Sequence, residues 1–138
     1  MCYEPTAASA IAYAACNQLE EWVHLFLCNE GGNAPFSQGL KLEPRRYFGP
    51  QLMNLDLFQR CCGPEKDMKF RVSASDFHAH VAAIARKYNE GNWDMPPLIV
   101  YRAESAYMLS DGNHRLEALK TLHVNEYWVI IWETASHE

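Results

Sequence analysis

The most distinctive polar segment of this chain is Ser-Asp-Gly-Asn-His-Arg at positions 110–115. We predict that it joins a strand to a helix, with Gly112 supplying a turn that permits positive φ or close approach of a ligand to the backbone. The first turn of the following helix would present backbone N–H groups at the positive end of the helix dipole. Such a turn is typical of sites that bind anions.

Three side chains of this segment extend the prediction. Arg115 carries a planar fork that matches phosphate, and His114 adds a donor whose charge changes near neutral pH. Asp111 stands at the mouth of the turn, where a carboxylate can coordinate Mg²⁺ or accept a proton. The residues alone leave a second interpretation open, in which Asp111 caps the helix, Gly112 makes the turn, and His114 and Arg115 lie on the surface.

Other reactive residues give weaker predictions. The Arg-Arg-Tyr-Phe cluster at 45–48 could face a phosphate or a base, or form an exposed basic turn. His78 and His80 are two positions apart on a predicted helix and point about 200° apart, so they do not chelate one metal together and no zinc site is expected. Cys61 and Cys62 are adjacent, a spacing that gives only strained disulfides, so we expect buried or partly buried thiols near the pocket.

The elements that must position these residues follow from hydrophobic periodicity. Thr6 to about Cys28 predicts one helix capped by Thr6, with an apolar stripe that packs against the core, and Asn29–Asn33 ends it. The prolines and glycines of 34–50 predict an irregular connection. The rest of the chain predicts strands at 52–57, 68–72, 98–101, 107–109 and 127–132, and helices at 75–89, capped by Ser75, and 114–123. This alternation predicts a mixed α/β or α+β domain.

Composition limits the classes of function. The 138 residues suffice for about one domain, and the apolar fraction of 49% excludes wholesale disorder. The net charge of −5 disfavours broad duplex-DNA binding. Five cysteines, an odd number without a C-x-x-C pair, favour reduced thiols. The start of the chain lacks a basic region and its apolar stretch is too short to cross a bilayer, so we expect a cytoplasmic protein without a membrane partner.

The stretch from Pro96 to Tyr101, a variable hairpin, and the segment Asp-Gly-Asn-His-Arg-Leu-Glu-Ala at 111–118 together resemble the ParB/sulfiredoxin superfamily. The resemblance extends over roughly 52–133. It implies a small mixed sheet with flanking helices over 51–138, a nucleotide-binding domain. Residues 1–50 do not match the family pattern and are expected to form an extra N-terminal helix and an irregular extension packed on that domain, the whole being one structural unit.

The turn itself distinguishes the branches of this superfamily. In the sulfiredoxins that this turn resembles, the sequence is Gly-Cys-His-Arg. Here Asn113 stands in place of their cysteine, so the nucleophile for peroxiredoxin repair is missing. ParB proteins carry an arginine where this chain has His114, together with a DNA-binding domain for which the chain is too short. The turn is most similar to that of the free-serine kinases, whose pattern Asp-Gly-x-His-Arg is matched by Asp111, Gly112, His114 and Arg115.

The kinase resemblance implies a set of site residues. Nucleotide phosphates would lie against the segment 112–115, namely Gly112, Asn113, His114 and Arg115. Asp111 and His114 would be catalytic, and Asp111 would also hold Mg²⁺. The general base that takes the substrate hydroxyl proton would be Glu65, with Glu43 as the second choice.

The function implied is a phosphotransferase or nucleotide hydrolase that acts on a small hydroxyl substrate with Mg²⁺ and ATP, ADP or CTP. One alternative is a non-catalytic nucleotide-sensing module whose N-terminal helix docks a partner protein or a second protomer. Another is a ParB-like nucleic-acid-processing protein, against which the net charge of −5 weighs.

Overall fold

A five-stranded mixed sheet lies between two layers of helices in the computed structural model, which describes residues 2–60 and 62–135. The elements in chain order are α1 (Ala7–Ala15), α2 (Leu19–Cys28), α3 (Ala34–Leu40), β1 (Arg45–Asn54), a 3₁₀ turn (Leu55–Leu57), β2 (Phe58–Gln59), β3 (Cys62–Gly63), β4 (Phe70–Arg71), α4 (Ala74–Asn89), β5 (Leu98–Ala103), β6 (Ala106–Asp111), α5 (Asn113–Thr121) and β7 (Glu126–Thr134). The predicted α+β class, with mixed strands and flanking helices, is confirmed.

The sheet has the strand order β1-β7-β5-β6-β2. β5 is parallel to β7 and antiparallel to β6, while β1 runs antiparallel to β7. The centre of the sheet is covered on both faces, which explains the uninterrupted apolar run of β5. Leu98 and Val100 point into the core beneath α4 and α5, whereas Ile99 points into the core beneath α1 and α2.

The single N-terminal helix predicted from Thr6 to Cys28 is wrong in one respect. Two helices, α1 and α2, occupy this stretch, and the chain turns between them at Asn17, whose φ is +59°. Thr6 caps α1 as predicted, accepting a hydrogen bond from the Ser9 amide. The apolar stripe packs on the sheet and is buried within this chain through Leu19, Trp22, Val23, Phe26 and Leu27.

The prediction of an irregular connection over 34–50 is also wrong. Asn33 caps a short helix, α3, and the ten-residue strand β1 begins at Arg45. The boundary expected at 50/51 therefore falls inside a strand. Pro50 is tolerated because β1 lies at the edge of the sheet, where its missing N–H costs no ladder bond. Gly49 has φ +100°, and a Cβ there would lie 2.7 Å from the Val129 carbonyl oxygen, so the strand needs glycine at this irregularity.

The last third of the chain follows the predicted pattern closely. Strands and helix occur at 98–103, 106–111, 113–121 and 126–134, within a few residues of the expected bounds. The cap of α4 is Ser73 rather than Ser75, because the Ser73 hydroxyl accepts from the Asp76 amide. The predicted strand at 52–57 divides into the end of β1 and the 3₁₀ turn. Over the described residues, no helix has both the length and the apolar character that a bilayer crossing requires.

Candidate functional site

A cavity of about 740 Å³ opens between the N-terminal helical layer and the turn that starts α5. This volume lies within the range of small-molecule sites. Two glycine-containing turns, 30–33 and 110–113, face each other across it, and α4 supplies a third wall. The cavity is lined by Pro5, Phe26, Glu30, Gly31, Gly32, Asn33, Phe70, His80, Ile84, Lys87, Trp93, Pro96, Ser110, Asp111, Gly112, Asn113, His114 and Arg115.

The turn at Gly112 has the geometry that the sequence predicts. β6 ends at Asp111 and α5 begins at Asn113, with Gly112 between them at φ +108°. A Cβ on this residue would lie 2.7 Å from the Leu98 Cδ2 atom and 3.1 Å from the Arg115 Nη2 atom. Both the positive φ and the close packing therefore require glycine.

Arg115 is placed differently from the expectation that its guanidinium faces a phosphate. Its Nη1 donates to the carbonyl oxygens of Pro96 at 2.7 Å and Pro97 at 2.8 Å, and its Nη2 donates to Asp111 Oδ2 at 2.8 Å. The residue is only 8% exposed, and its guanidinium carbon lies 5.3 Å from the Phe26 ring centroid. A buried cation must be paired and hydrogen-bonded, and this one is satisfied inside the protein. Arg115 therefore braces the turn.

Asp111 lines the cavity but already has partners. Its carboxylate accepts from the Arg115 guanidinium and from the side chain of Asn33. Burial raises the pKa of Asp111, and the charge of Arg115 and the two hydrogen bonds oppose that rise. The expected role of Asp111 as a Mg²⁺ ligand does not fit this arrangement, because a guanidinium occupies one carboxylate oxygen. Asp111 is also not part of a metal-binding cluster. The described parts of the chain contain no group of three His, Cys, Asp or Glu side chains that could hold a metal ion.

His114 faces the cavity and forms its main contacts with α4. Its ring centroid lies 4.9 Å from that of Phe77 and 4.2 Å from that of His80. Burial lowers the pKa of His114, and the charges of His80 and Arg60 lower it further. The imidazole is therefore mainly neutral at pH 7 and gains charge when an anion approaches.

The two carboxylates predicted as general base lie elsewhere. Glu65 is exposed, forms an ion pair with Arg60 and is not among the residues that line the cavity. The hydrogen bond from Arg60 is the main cause that lowers the pKa of Glu65, which makes it a weaker base. Glu43 is exposed at the start of β1, 3.7 Å from Arg45, and also lies outside the cavity. The structure thus brings together residues 111–115 but neither glutamate.

Several cavity residues were missed by the sequence analysis. His80 was considered only as a partner of His78, yet it reaches the cavity from α4 beside His114. Lys87 follows His80 on α4 by seven residues, about two helical turns, and its Nζ lies 4.2 Å from the centroid of the Trp93 ring. The helical spacing of His80 and Lys87 next to the buried Phe77 and Val81 was a signal that these polar groups share a side of α4.

No sequence pattern indicates that residues 30–33 line the cavity, because they approach the α5 turn only through tertiary contacts. The sequence predicts only that 29–33 ends a helix, whereas four residues of this segment line the cavity. The prediction about Cys61 and Cys62 lies outside the residues whose side chains the structure describes.

Comparison with known proteins gives two similar solved structures. One, described as a conserved hypothetical protein from Pyrococcus furiosus, is 13% identical over 64% of this chain and 34% of its own, with a TM-score of 0.48. The other, described as a Pnob8-like ParB-N domain, is 18% identical over 67% of this chain and 32% of its own, with a TM-score of 0.41. The chain thus spans about a third of the length of each structure.

No family model matches the chain, and no curated protein matches it.

Proposed function

We propose that the chain binds a nucleoside phosphate in the cavity between the segment 30–33 and the α5 turn. The observation that carries this proposal is the combination, in the lining of one cavity of about 740 Å³, of protonatable or cationic side chains with aromatic side chains. A ligand with a phosphate and a flat ring system would use both kinds of group.

The phosphate end of the ligand would lie against His80 and His114, whose rings are 4.2 Å apart beside the start of α5, and Lys87 is a further cation of the cavity lining. These groups supply N–H donors to an anion, and charge-assisted bonds of this kind are the strong ones. Arg115 supports this end indirectly, because its ion pair with Asp111 neutralises the carboxylate that would otherwise repel a phosphate.

The nucleoside part of the ligand would lie against Phe70, Ile84 and Trp93, which also line the cavity, with the Trp93 ring next to Lys87. Aromatic and aliphatic surfaces of this kind accept the face of any base, so this wall supports binding without selecting one nucleotide. Glu30 also lines the cavity, where its carboxylate, which accepts from the Tyr3 hydroxyl, has a second oxygen to accept from hydroxyl or amino groups of the ligand.

Phosphoryl transfer to a small hydroxyl substrate, or nucleotide hydrolysis, is the second candidate function. It is favoured by the presence of two carboxyl groups, Glu30 and Asp111, in the cavity wall. Asp111 is paired with the Arg115 guanidinium, and Glu30 accepts a hydrogen bond from the Tyr3 hydroxyl. Binding without turnover requires neither group to act, and for this reason we place nucleotide binding first.

Isothermal titration of the protein with ATP, ADP and CTP, each with and without MgCl₂, tests the proposal. His114→Gln should weaken binding by about 10- to 100-fold, the equivalent of one hydrogen bond to a charged group. His78→Gln is the matched control, since His78 lies on the same helix as His80 but does not line the cavity. Absence of binding by all three nucleotides would refute the proposal. Formation of ADP or inorganic phosphate in the same samples, measured by chromatography, would favour phosphoryl transfer or nucleotide hydrolysis.

A further inference from the structure

Two imidazoles from different helices meet in the wall of the cavity. The ring centroids of His80 on α4 and His114 on α5 are 4.2 Å apart, with an interplanar angle of 31°. Both rings line the cavity. The His114 ring also contacts Phe77, and over residues 2–60 and 62–135 neither ring forms a hydrogen bond or an ion pair. Their ring nitrogens are thus available to a ligand.

The charges around this imidazole pair come from every element packed against it. α4 contributes Lys87, and the chain before β3 contributes Arg60, which pairs with Glu65 and with Glu117 of α5. β6 contributes Asp111, neutralised by Arg115 of α5. The segment between α2 and α3 contributes Glu30, whose carboxylate accepts from the Tyr3 hydroxyl at 2.6 Å.

This arrangement limits how much charge the imidazole pair can carry. Rings 4.2 Å apart repel each other if both are protonated, and no carboxylate is paired with either of them in the described residues. The nearby cation Arg60 adds to the repulsion felt by His114. A bound anion with two negative charges removes this restriction, because it attracts a proton to the rings.

We infer that His80 and His114 form a proton-coupled subsite for a terminal phosphate dianion, which binds together with a proton taken up by the imidazole pair. This inference rests on the proposed nucleotide function and specifies its ligand class: nucleotides that end in a free phosphate rather than in a phosphodiester. The direction of the pKa shift of His114 agrees, since a mainly neutral ring at pH 7 must gain a proton to pair with a dianion.

The coupling between ligand binding and protonation fixes how affinity depends on pH. Because the imidazole pair takes up a proton when the phosphate binds, affinity for the nucleotide falls as the pH rises above 7. The second pKa of a phosphate monoester is about 6, so its own ionisation is essentially complete in this range and changes affinity in the opposite direction only below it.

Isothermal titration with ADP at pH 7.0, 7.5, 8.0 and 8.5, at constant ionic strength, tests the inference. We expect the dissociation constant to rise about tenfold over this range, and the heat to depend on buffer ionisation enthalpy in the sense of proton uptake. His80→Gln and His114→Gln should each flatten the pH dependence, while His78→Gln should retain it. ADP-ribose, in which the terminal phosphate is esterified, should bind at least about tenfold more weakly, without the pH dependence.

The outcomes separate this inference from the function on which it rests. ADP binding that does not change from pH 7.0 to 8.5, or a pH dependence that survives in both glutamine variants, overturns the proton-coupled subsite and leaves nucleotide binding intact. ADP-ribose binding equal to that of ADP overturns the ligand class. Failure of ATP, ADP and CTP to bind at any pH overturns both.

Discussion

At the scale of single residues, the main result is that Arg115 is hydrogen-bonded inside the protein whereas His114 faces the cavity. Both residues were expected to face a phosphate, but the guanidinium is satisfied by Pro96, Pro97 and Asp111 inside the protein. Sequence alone does not separate these cases, because the residue types and their spacing are the same in both. The difference arises from the two carbonyl groups that precede β5, which lie close to Arg115 only in the folded chain.

The internal role of Arg115 predicts a large effect on stability. Arg115→Met leaves the Asp111 carboxylate buried without its cation, which should lower the free energy of unfolding by about 3–5 kcal/mol. Urea denaturation measures this change. Arg102→Met is the matched control, since Arg102 forms a more exposed ion pair with Glu133 and should cost at most about 1 kcal/mol. Equal effects of the two substitutions would contradict the bracing role of Arg115.

A second residue-scale prediction concerns pH and His24. Its Nδ1 lies 2.6 Å from Ser37 Oγ, and its Nε2 is buried without a hydrogen-bond partner. Burial and the charge of Lys41 lower the pKa of His24 from the ordinary value of 6.5. The unfolded chain therefore binds more protons in the range from 6.5 down to the folded pKa, and stability falls as the pH falls through this range.

His24→Gln should reduce that loss, measured as the difference in unfolding free energy between pH 7.5 and pH 5.5. His114 contributes in the same direction and remains in the variant. A pH dependence identical in the wild type and His24→Gln would show that this imidazole is not the source.

At the scale of elements, Asn33 connects the N-terminal layer to the site. Its side-chain oxygen accepts from the Phe36 amide and caps α3, while its side chain also bonds to Asp111. The order of elements after residue 96 was predictable because apolar runs, a glycine turn and a leucine-rich helix occur in short succession. The connection 34–50 was not, since Pro50 suits an edge strand and the sequence does not reveal which strand is at the edge.

Substitutions at Asn33 separate its two functions. Asn33→Ser keeps a capping oxygen for α3 but removes the donor to Asp111, whereas Asn33→Ala removes both. The alanine variant should be less stable than the serine variant by about 1 kcal/mol, the usual value of a cap. Both should bind ADP more weakly than the wild type because Asp111 and the α5 turn lose a support. Wild-type affinity in the serine variant would exclude this positioning role.

At the scale of the whole molecule, residues 2–44 complete the cavity as well as the core. They cover the face of the sheet that carries Ile99 and Ile130 and place Phe26 against the guanidinium of Arg115. Periodicity predicted that their apolar stripe packs against the core. It did not predict that the turn after α2 forms a wall of the cavity, because hydrophobic pattern reports which face is buried and not which loops meet.

The most direct measurement of the central claim is an amide chemical-shift titration of the ¹⁵N-labelled protein with ADP. Nucleotide binding in the cavity predicts that the largest shifts occur at the amides of the two facing turns, 30–33 and 112–114, and around His80. Saturable shifts confined to these positions would support the account. Absence of shifts at millimolar ADP, or shifts centred on the second hollow around Gln18, Glu21 and Lys41, would contradict it.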